Sequence, residues 1–361
     1  MTEERSNTRR NRRHERHPTI RDVAARANVS VATVSRVFSG KDIVREETSI
    51  RVREIARTLG YVPNVAARAL SVRRSHTIGI LLPDIHGEFF SELLRGIDIA
   101  ARGAGYHILV SGWHSDLEEM IAMTNAFRGR VDGILVMAPD ISVAQFRERV
   151  APRIPVVLLN TAAHAELDSI VVDNSGGARA VMRHLRELGH ERIAFVNGPS
   201  RNLDARERRR GYRHGLQTAA PPLAPLEIPG DFTEESGYAS VETILEMEPR
   251  PTAVFAANDS MAIGILAGLA EHGVSVPDEI SVVGFDDILI SRYVNPPLTT
   301  VRIDVGHLGR RAFALLQEAF DENGQTPLRR ERVSTSLVVR QSTSPRRPGH
   351  ARPAQRRTRD R

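Results

Sequence analysis

Residues 18–37, reading Pro18-Thr19-Ile20-Arg21-Asp22-Val23-Ala24-Ala25-Arg26-Ala27-Asn28-Val29-Ser30-Val31-Ala32-Thr33-Val34-Ser35-Arg36-Val37, constrain the fold more than any other stretch of the chain. Thr19 is a good helix N-cap, and Val23, Ala24 and Ala27 recur at helical spacing before Asn28, a residue that tolerates the left-handed conformation of a tight turn. A second helix starts behind Ser30 with Val34 and Val37 as its inner face. Its other positions, Val31, Ala32, Thr33, Ser35 and Arg36, are small, polar or basic, as a helix laid into a DNA major groove requires. The pattern predicts a helix-turn-helix; the competing reading is a helical hairpin without a ligand. A third amphipathic helix follows, with Val52, Ile55, Ala56 and Leu59 inward and Arg45, Arg51, Arg53 and Arg57 outward.

The charge distribution agrees. Residues 1–76 carry 17 basic and 8 acidic side chains, net +9; residues 77–343 are net −9, and residues 344–361 are net +6. Basic ends are where contact with a polyanion is expected, because phosphate contacts give salt-dependent affinity and base contacts give specificity. Lys41 is the only lysine, and this arginine dominance fits the composition of a G+C-rich genome better than a functional preference. At 361 residues and 41% hydrophobic content the chain has material for two or three domains with real cores. No apolar run approaches the ~20 residues of a membrane span, and the Arg-rich segment from Met1 to His17 lacks the hydrophobic stretch of a signal peptide, so a cytoplasmic, nucleoid-associated protein is expected. There is no cysteine, which excludes disulfides and thiolate metal sites, and the 13 histidines show no ligand-like spacing. Neither a metal nor a cofactor is expected.

From His76 onward the pattern changes to short Val/Ile/Leu runs alternating with helical stretches. The strands expected are Thr77–Leu82, His107–Ser111, Gly133–Met137, Pro155–Asn160, Ser169–Val172, Arg192–Asn197, Ala253–Ala256, Ser281–Phe285 and Thr300–Ile303. Helices are expected at Phe90–Gly103, Gly177–Leu188 and Ser260–His272. This alternation predicts an α/β body of two doubly wound parallel-sheet lobes. Ligands of such sheets bind beyond the carboxyl ends of the strands, where the polar residues are Asp84, Trp113, His114, Asn160, Asn258, Asp259, Asp286 and Asp287. Carboxylates and amides suit vicinal hydroxyls, and Phe89, Phe90 and Trp113 offer rings for the apolar face of a sugar. Core or subunit-interface filling is the other reading of Trp113, as helix capping is for Asp286 and a turn for Asn258.

After the third helix the sequence runs Gly60-Tyr61-Val62-Pro63-Asn64-Val65-Ala66-Ala67-Arg68-Ala69-Leu70. With the helix-turn-helix, this resembles the lactose/galactose repressor family of transcriptional regulators. Further markers in the body are Val172-Asp173-Asn174, Gly189-His190-Glu191-Arg192-Ile193, Ala257-Asn258-Asp259-Ser260-Met261-Ala262, Val283-Gly284-Phe285-Asp286-Asp287 and Pro296-Pro297-Leu298-Thr299-Thr300, so the resemblance spans roughly residues 18–343. It implies a homodimeric repressor of a pseudo-palindromic, double-stranded operator, controlled by a small effector, a sugar or sugar derivative, in the cleft between periplasmic-binding-protein-type lobes. Hinge helices starting near Asn64 and including Ala67 would enter the minor groove side by side, with Leu70 as wedge at a central CG step. Thr19, Val31, Ala32, Thr33, Ser35 and Arg36 would face DNA. Val31 and Ala32 take the main base-reading positions, where they cannot donate hydrogen bonds, and Thr33 and Arg36 are the polar readers. The effector set is Asp84, Phe89, Phe90, Trp113, Asn160, Arg208, Asn258 and Asp286. Arg208 takes the place of the arginine before Gly211-Tyr212, with Arg206 in reserve because both lie in a charge run. His86-Gly87-Glu88 departs from the family pattern and implies a different ligand preference.

The expected boundaries are a disordered basic tail at 1–17, the head at 18–63, hinge and linker at 64–76, the body at 77–343 and a second disordered tail at 344–361. Within the body, lobe one takes about 77–172 and 305–332, and lobe two about 173–304 and 333–343. The tail beginning Ser344-Pro345-Arg346-Arg347 cannot form the leucine-rich helix of family tetramers, so a dimer is expected. The alternative is a solute-receptor-like sugar-binding protein with no regulatory role. An enzyme is disfavoured because no Gly-x-Gly-x-x-Gly, Walker loop, Gly-x-Ser-x-Gly or His-Glu-x-x-His occurs.

Overall fold

Three helices make up the head: α1 (Ile20–Ala27), α2 (Val31–Phe38) and α3 (Glu46–Leu59). Asp22 closes the start of α1, its Oδ2 accepting hydrogen bonds from the backbone N and the hydroxyl of Thr19, each at 2.7 Å. Asn28 ends the helix in the left-handed region, at φ 52° and ψ 48°. Ser30 Oγ then accepts from Thr33 N at 3.0 Å and starts α2. Val23, Ala24, Ala27, Val34, Val37, Val52 and Ala56 are all buried and form one small core, with Ile55 and Leu59 partly buried against it. In a computed structural model the chain is described over residues 18–38, 44–61, 74–114, 116–138, 154–161, 167–321 and 328–346. It divides into two units, Met1–Ser75 and His76–Arg361.

The second unit begins with β1 (Thr77–Leu82), α4 (Glu88–Gly103), β2 (His107–Gly112), α5 (Leu117–Phe127), β3 (Gly133–Met137), β4 (Val156–Leu159) and β5 (Asp168–Val172). It continues through α6 (Asn174–Glu187), β6 (Ile193–Val196), α7 (Leu203–Gln217), β7 (Leu226–Ile228), α8 (Glu234–Glu246), β8 (Ala253–Ala256), α9 (Asp259–Glu271), β9 (Ser281–Asp286) and β10 (Thr299–Arg302). It ends with α10 (Val305–Asp321), β11 (Arg330–Val333) and β12 (Ser336–Val338). One sheet has the order β11-β5-β4-β3-β1-β2, the other β12-β10-β9-β8-β6-β7. Every pairing is parallel except β12 against β10. The chain therefore crosses between lobes after β5, after β10 and between β11 and β12. Three strands, β7, β11 and β12, lie outside the nine expected from sequence.

The apolar runs are continuous because both sheet faces are covered. In the first lobe Ile78, Ile80, Leu82, Leu135, Met137, Val157 and Leu159 belong to the main core, whereas Leu81, Ile134, Val136, Val156 and Leu158 belong to a second core with residues of α5. In the second lobe α7 lies so close to α6 that a Cβ on Gly211 would sit 2.5 Å from Ala178 Cβ and 2.6 Å from Ser175 O. Tyr212 anchors the same turn, its hydroxyl donating to Ile193 O at 2.8 Å and accepting from Leu226 N at 2.9 Å. One turn earlier this fixes Arg208, and one turn before that Asp204, on the same helix stripe.

Candidate functional site

In the head, α2 has an outward and an inward side. With Val34 and Val37 buried, α2 turns Val31, Ala32 and Arg36 outward, and Val31 is 42% exposed. Thr33 and Ser35 are half-buried, and the Thr33 hydroxyl lies 2.8 Å from Ser30 Oγ. Thr19 is half-buried and bonded to Asp22 at the start of α1. Asn64, Ala67 and Leu70, assigned to the hinge from sequence, lie outside the described residues.

Within the second unit a cavity of about 430 Å³ opens between the carboxyl ends of the two sheets. Lobe one contributes Pro83, Asp84, His86, Gly87, Glu88, Phe89, Phe90 and Met137; lobe two contributes Asn202, Asp204, Arg208, Asp231, Phe232, Thr233, Glu234, Asn258, Ser260, Asp286, Ile288 and Ile290. Three helices of lobe two begin at its rim, and their first amides are already capped: Asn202 Oδ1 accepts from Ala205 N, Thr233 Oγ1 from Ser236 N and Asn258 Oδ1 from Met261 N. Phe89 and Phe90 meet edge to face, with centroids 5.5 Å apart. Asp84 folds its loop by accepting from Ile85 N at 2.6 Å and His86 N at 2.9 Å.

Arg208 is the centre of the lobe-two wall. It is 4% exposed, and it donates through Nε to Asn174 Oδ1 at 2.8 Å, through Nη1 to Ala257 O at 2.6 Å and through Nη2 to Asp286 Oδ1 at 2.8 Å. Its guanidinium also lies 3.9 Å from the Phe285 ring centroid. Arg206, the reserve candidate, is exposed and bonds Arg201 O instead. Asp286 is 7% exposed, and among the described residues its Oδ2 accepts no hydrogen bond. Its backbone has φ 110°, and Asp287 follows at φ 56°, two strained positions in succession of the kind that accumulates at binding sites. Burial pushes the Asp286 carboxyl up, and Arg208 opposes that. Burial also acts on Asp287, but Arg340 and Arg302 outweigh it and hold that carboxyl below its usual range. Asp259, wholly buried, is raised by burial and then by Asp286; it accepts from Thr300 Oγ1 and from Ile288 N and so ties the strand ends together.

Of the residues expected at the cleft, Asp84, Phe89, Phe90, Arg208, Asn258 and Asp286 line the cavity. Asn258 does so with its amide committed, since Nδ2 donates to Phe232 O at 2.9 Å while Oδ1 caps α9. Trp113 is a correction. It is fully buried in the second core of lobe one, and its Nε1 donates to Met137 O at 3.1 Å, so a ligand has no access to the ring. Asn160 is likewise behind the wall, 2% exposed, reaching Asp204 with Nδ2 at 3.2 Å while its buried Oδ1 has no hydrogen-bond partner among the described residues. Asp204 itself was not expected. It lines the cavity, accepts from Asn174 Nδ2 at 2.7 Å, and is pushed up to about 6 by burial, with Arg208 opposing. Its signal was present in the sequence as an acid four residues before Arg208, on the same helix face. Among the described residues no cluster of histidine and carboxylate side chains could hold a metal, and no helix is long and apolar enough to cross a membrane.

A helix-turn-helix head and a two-lobed body closing on a polar, aromatic-walled cavity define a DNA-binding regulator with a ligand-binding body. Comparisons with known proteins agree at both ends: residues 19–64 match the bacterial regulatory proteins of the lacI family, and residues 182–343 match the periplasmic binding protein-like domain. Catabolite control protein A of Priestia megaterium is 33% identical over 324 residues, covering 89% of this chain and 95% of its own length. A crystal structure of the lac repressor dimer bound to operator and the anti-inducer ONPF is 30% identical with a TM-score of 0.83, covering 91% of this chain and 100% of that one. The transcriptional regulator CelR in complex with cellobiose is 30% identical with a TM-score of 0.67, covering 90% of this chain and 99% of that one. The chain belongs to the lacI family of bacterial regulatory proteins.

Proposed function

We infer that this chain is a transcriptional repressor that binds a pseudo-palindromic operator as a homodimer and releases or tightens its hold when an uncharged, hydroxyl-rich effector occupies the cleft. It performs no catalysis and works in the cytoplasm. The observation that carries the reading is α2, whose buried Val34 and Val37 leave Val31, Ala32 and Arg36 outward on a helix following a capped turn. The lac repressor relative, a dimer on its operator, supports the dimeric arrangement, and the cellobiose complex supports a sugar. The cavity adds chemistry of its own. Its walls hold Asp84, Glu88, Asp204, Asp231, Glu234 and Asp286 against Arg208 and His86, and each of the three guanidinium nitrogens of Arg208 already donates to a protein acceptor. Such a wall offers acceptors to hydroxyl donors and repels a phosphate. Allosteric control requires only that the effector bind one lobe arrangement better than the other.

Selection of bound sequences from a random duplex library tests the reading. A two-fold symmetric consensus is expected, with a flexible step at its centre, and Leu70→Ala is expected to lose specific binding while retaining the weaker, salt-sensitive non-specific mode. Enrichment of no sequence at all would remove the regulatory reading and leave the solute-receptor alternative.

A further inference from the structure

Asp204 stands at the junction of the two lobes and in the cavity at once. It belongs to lobe two, in the first turn of α7, yet its Oδ2 accepts a hydrogen bond from Asn160 at the end of β4 in lobe one, while Oδ1 is held by Asn174 at the start of α6. Arg208 on its own helix and Asp286 at the end of β9 act on its charge, and the other ionisable groups lining the same cavity are Asp84, His86 and Glu88 from the β1–α4 loop and the start of α4, and Asp231 and Glu234 before and at the start of α8. Arg208 already neutralises Asp286. Among the described residues Asp204 has two neutral amides as partners and no cation hydrogen-bonded to it.

We propose that closure of the lobes around the cleft takes up a proton at Asp204, unless the effector itself presents a hydroxyl or ammonium donor to that carboxylate. The inference rests on the effector-binding reading and deepens it. Closing the lobes replaces water around the carboxylate with protein, and a desolvated carboxylate with no hydrogen-bonded cation, Arg208 acting on it only through space, favours its protonated form. Opening the cleft returns Asp204 to solvent and to an ordinary carboxyl affinity for protons. Because the closed arrangement binds the proton more tightly, protonation favours closure and high pH favours opening. With the carboxyl at about 6 in the structure and about 3.9 when solvated, the ratio of closed to open molecules rises roughly tenfold between pH 8 and pH 5. An effector that donates to Asp204 replaces the proton, so it binds equally well across this range; an anionic one binds better at low pH.

The absence of cysteine makes the test direct. Glu118→Cys near the start of α5 and Glu235→Cys at the start of α8 place one spin label on each lobe of the full-length chain, and the distance distribution is recorded from pH 5 to pH 8. The short-distance population is expected to grow about tenfold relative to the long one as pH falls, and Asp204→Asn, permanently uncharged, is expected to hold the short distance at every pH. A pH-independent distribution in the parent, or an Asp204→Asn chain that tracks the parent, overturns the inference. Should the variant not fold, carbon-13 titration of the Asp204 carboxyl in the parent decides: a midpoint near 6 supports it and one near 4 overturns it. Duplex selection on the same proteins separates the two readings. Specific DNA binding without pH-linked closure removes this inference alone, and closure without specific DNA binding removes the regulatory one.

Discussion

The two walls of the cleft are built on different principles. Lobe two presents a locked network in which Arg208 joins Asn174, Ala257 and Asp286, and Asp204 is gripped from two sides. Lobe one presents two half-buried phenyl rings and a loop, Asp84–Gly87, whose residues are exposed and whose hydrogen bonds are local. A locked polar wall costs little reorganisation when a ligand arrives and fixes orientation, whereas an apolar wall on an exposed loop adapts to the ligand's size. On the proposed function, affinity for the effector's hydroxyls resides in lobe two and discrimination among effectors in lobe one, where His86-Gly87-Glu88 departs from the family pattern.

The largest effect that separates the walls belongs to Arg208→Ala. Removing the cation leaves Asp286 buried without its partner beside the half-buried Asp204, and breaking a buried pair by deleting one partner costs about 3–5 kcal/mol. A fall in thermal stability of that size, with loss of any saturable ligand response, is expected. Arg208→Lys is expected to recover little, because one ammonium cannot reach three acceptors lying in different directions. A ligand response surviving in Arg208→Ala would make the polar wall dispensable and the comparison wrong.

Trp113→Phe comes next and tests the correction made above. Deleting the indole leaves Met137 O without its donor and a small void in the second core, about 2 kcal/mol in stability. Ligand affinity is expected to be unchanged, as measured by calorimetric titration; a tenfold loss would return the ring to the cleft.

What the sequence made legible follows from what alternation and spacing encode. Val23, Val34 and Val52 were readable because an amphipathic stripe must face something, and Asn28 because few residues accept a left-handed turn. Arg208 was readable by its register from Gly211. Trp113 was misassigned because position after a strand says which end of the sheet a residue occupies, not which face its side chain takes; it falls on the α5 face beside Leu81. Asp204 was missed because one acid in a run of charges looks solvated until α6 is packed against it. The strands β7, β11 and β12 escaped because three or four residues at a sheet edge, such as Arg330-Glu331-Arg332-Val333, need cover on one side only and carry no apolar run.

A third expectation concerns pH. Asp204, Asp259 and Asp286 all bind protons more tightly in the folded chain than in the unfolded one. Such groups favour folding below their folded midpoints and lose that advantage as pH rises through them; for Asp204 the decline runs from about pH 4 to about pH 6, and for Asp259 and Asp286 it begins at the same acid pH. Asp287 and Glu227, held low, act in the opposite sense, and their stabilisation is lost as pH falls through the acid range below about 4. Asp204→Asn is therefore expected to raise the melting temperature by a few degrees at pH 7 and not at pH 4. An equal rise at both values would mean that the side chain's ionisation is irrelevant.

Phe90→Ala probes the adaptable wall. The ring is half-buried, so its loss is expected to lower affinity for the proposed effector about fivefold, roughly 1 kcal/mol, with a smaller effect on folding. The two readouts should divide oppositely from those of Trp113→Phe.

The smallest effect expected is at a hydrogen bond between lobe one's exposed loop end and lobe two. Glu88 begins α4, and its Oε2 accepts from Ile290 N across the cleft mouth at 3.4 Å, a long bond between exposed groups. In water such a contact competes with solvent for both partners, so Glu88→Ala is expected to change thermal stability by no more than about 0.5 kcal/mol. If lobe one contributes adaptability rather than grip, the spin-label distances in Glu88→Ala should match the parent at every pH. A shift toward the open distance would instead place part of the grip in lobe one, and the division of labour between the walls would have to be redrawn around Glu88 as well as Asp204.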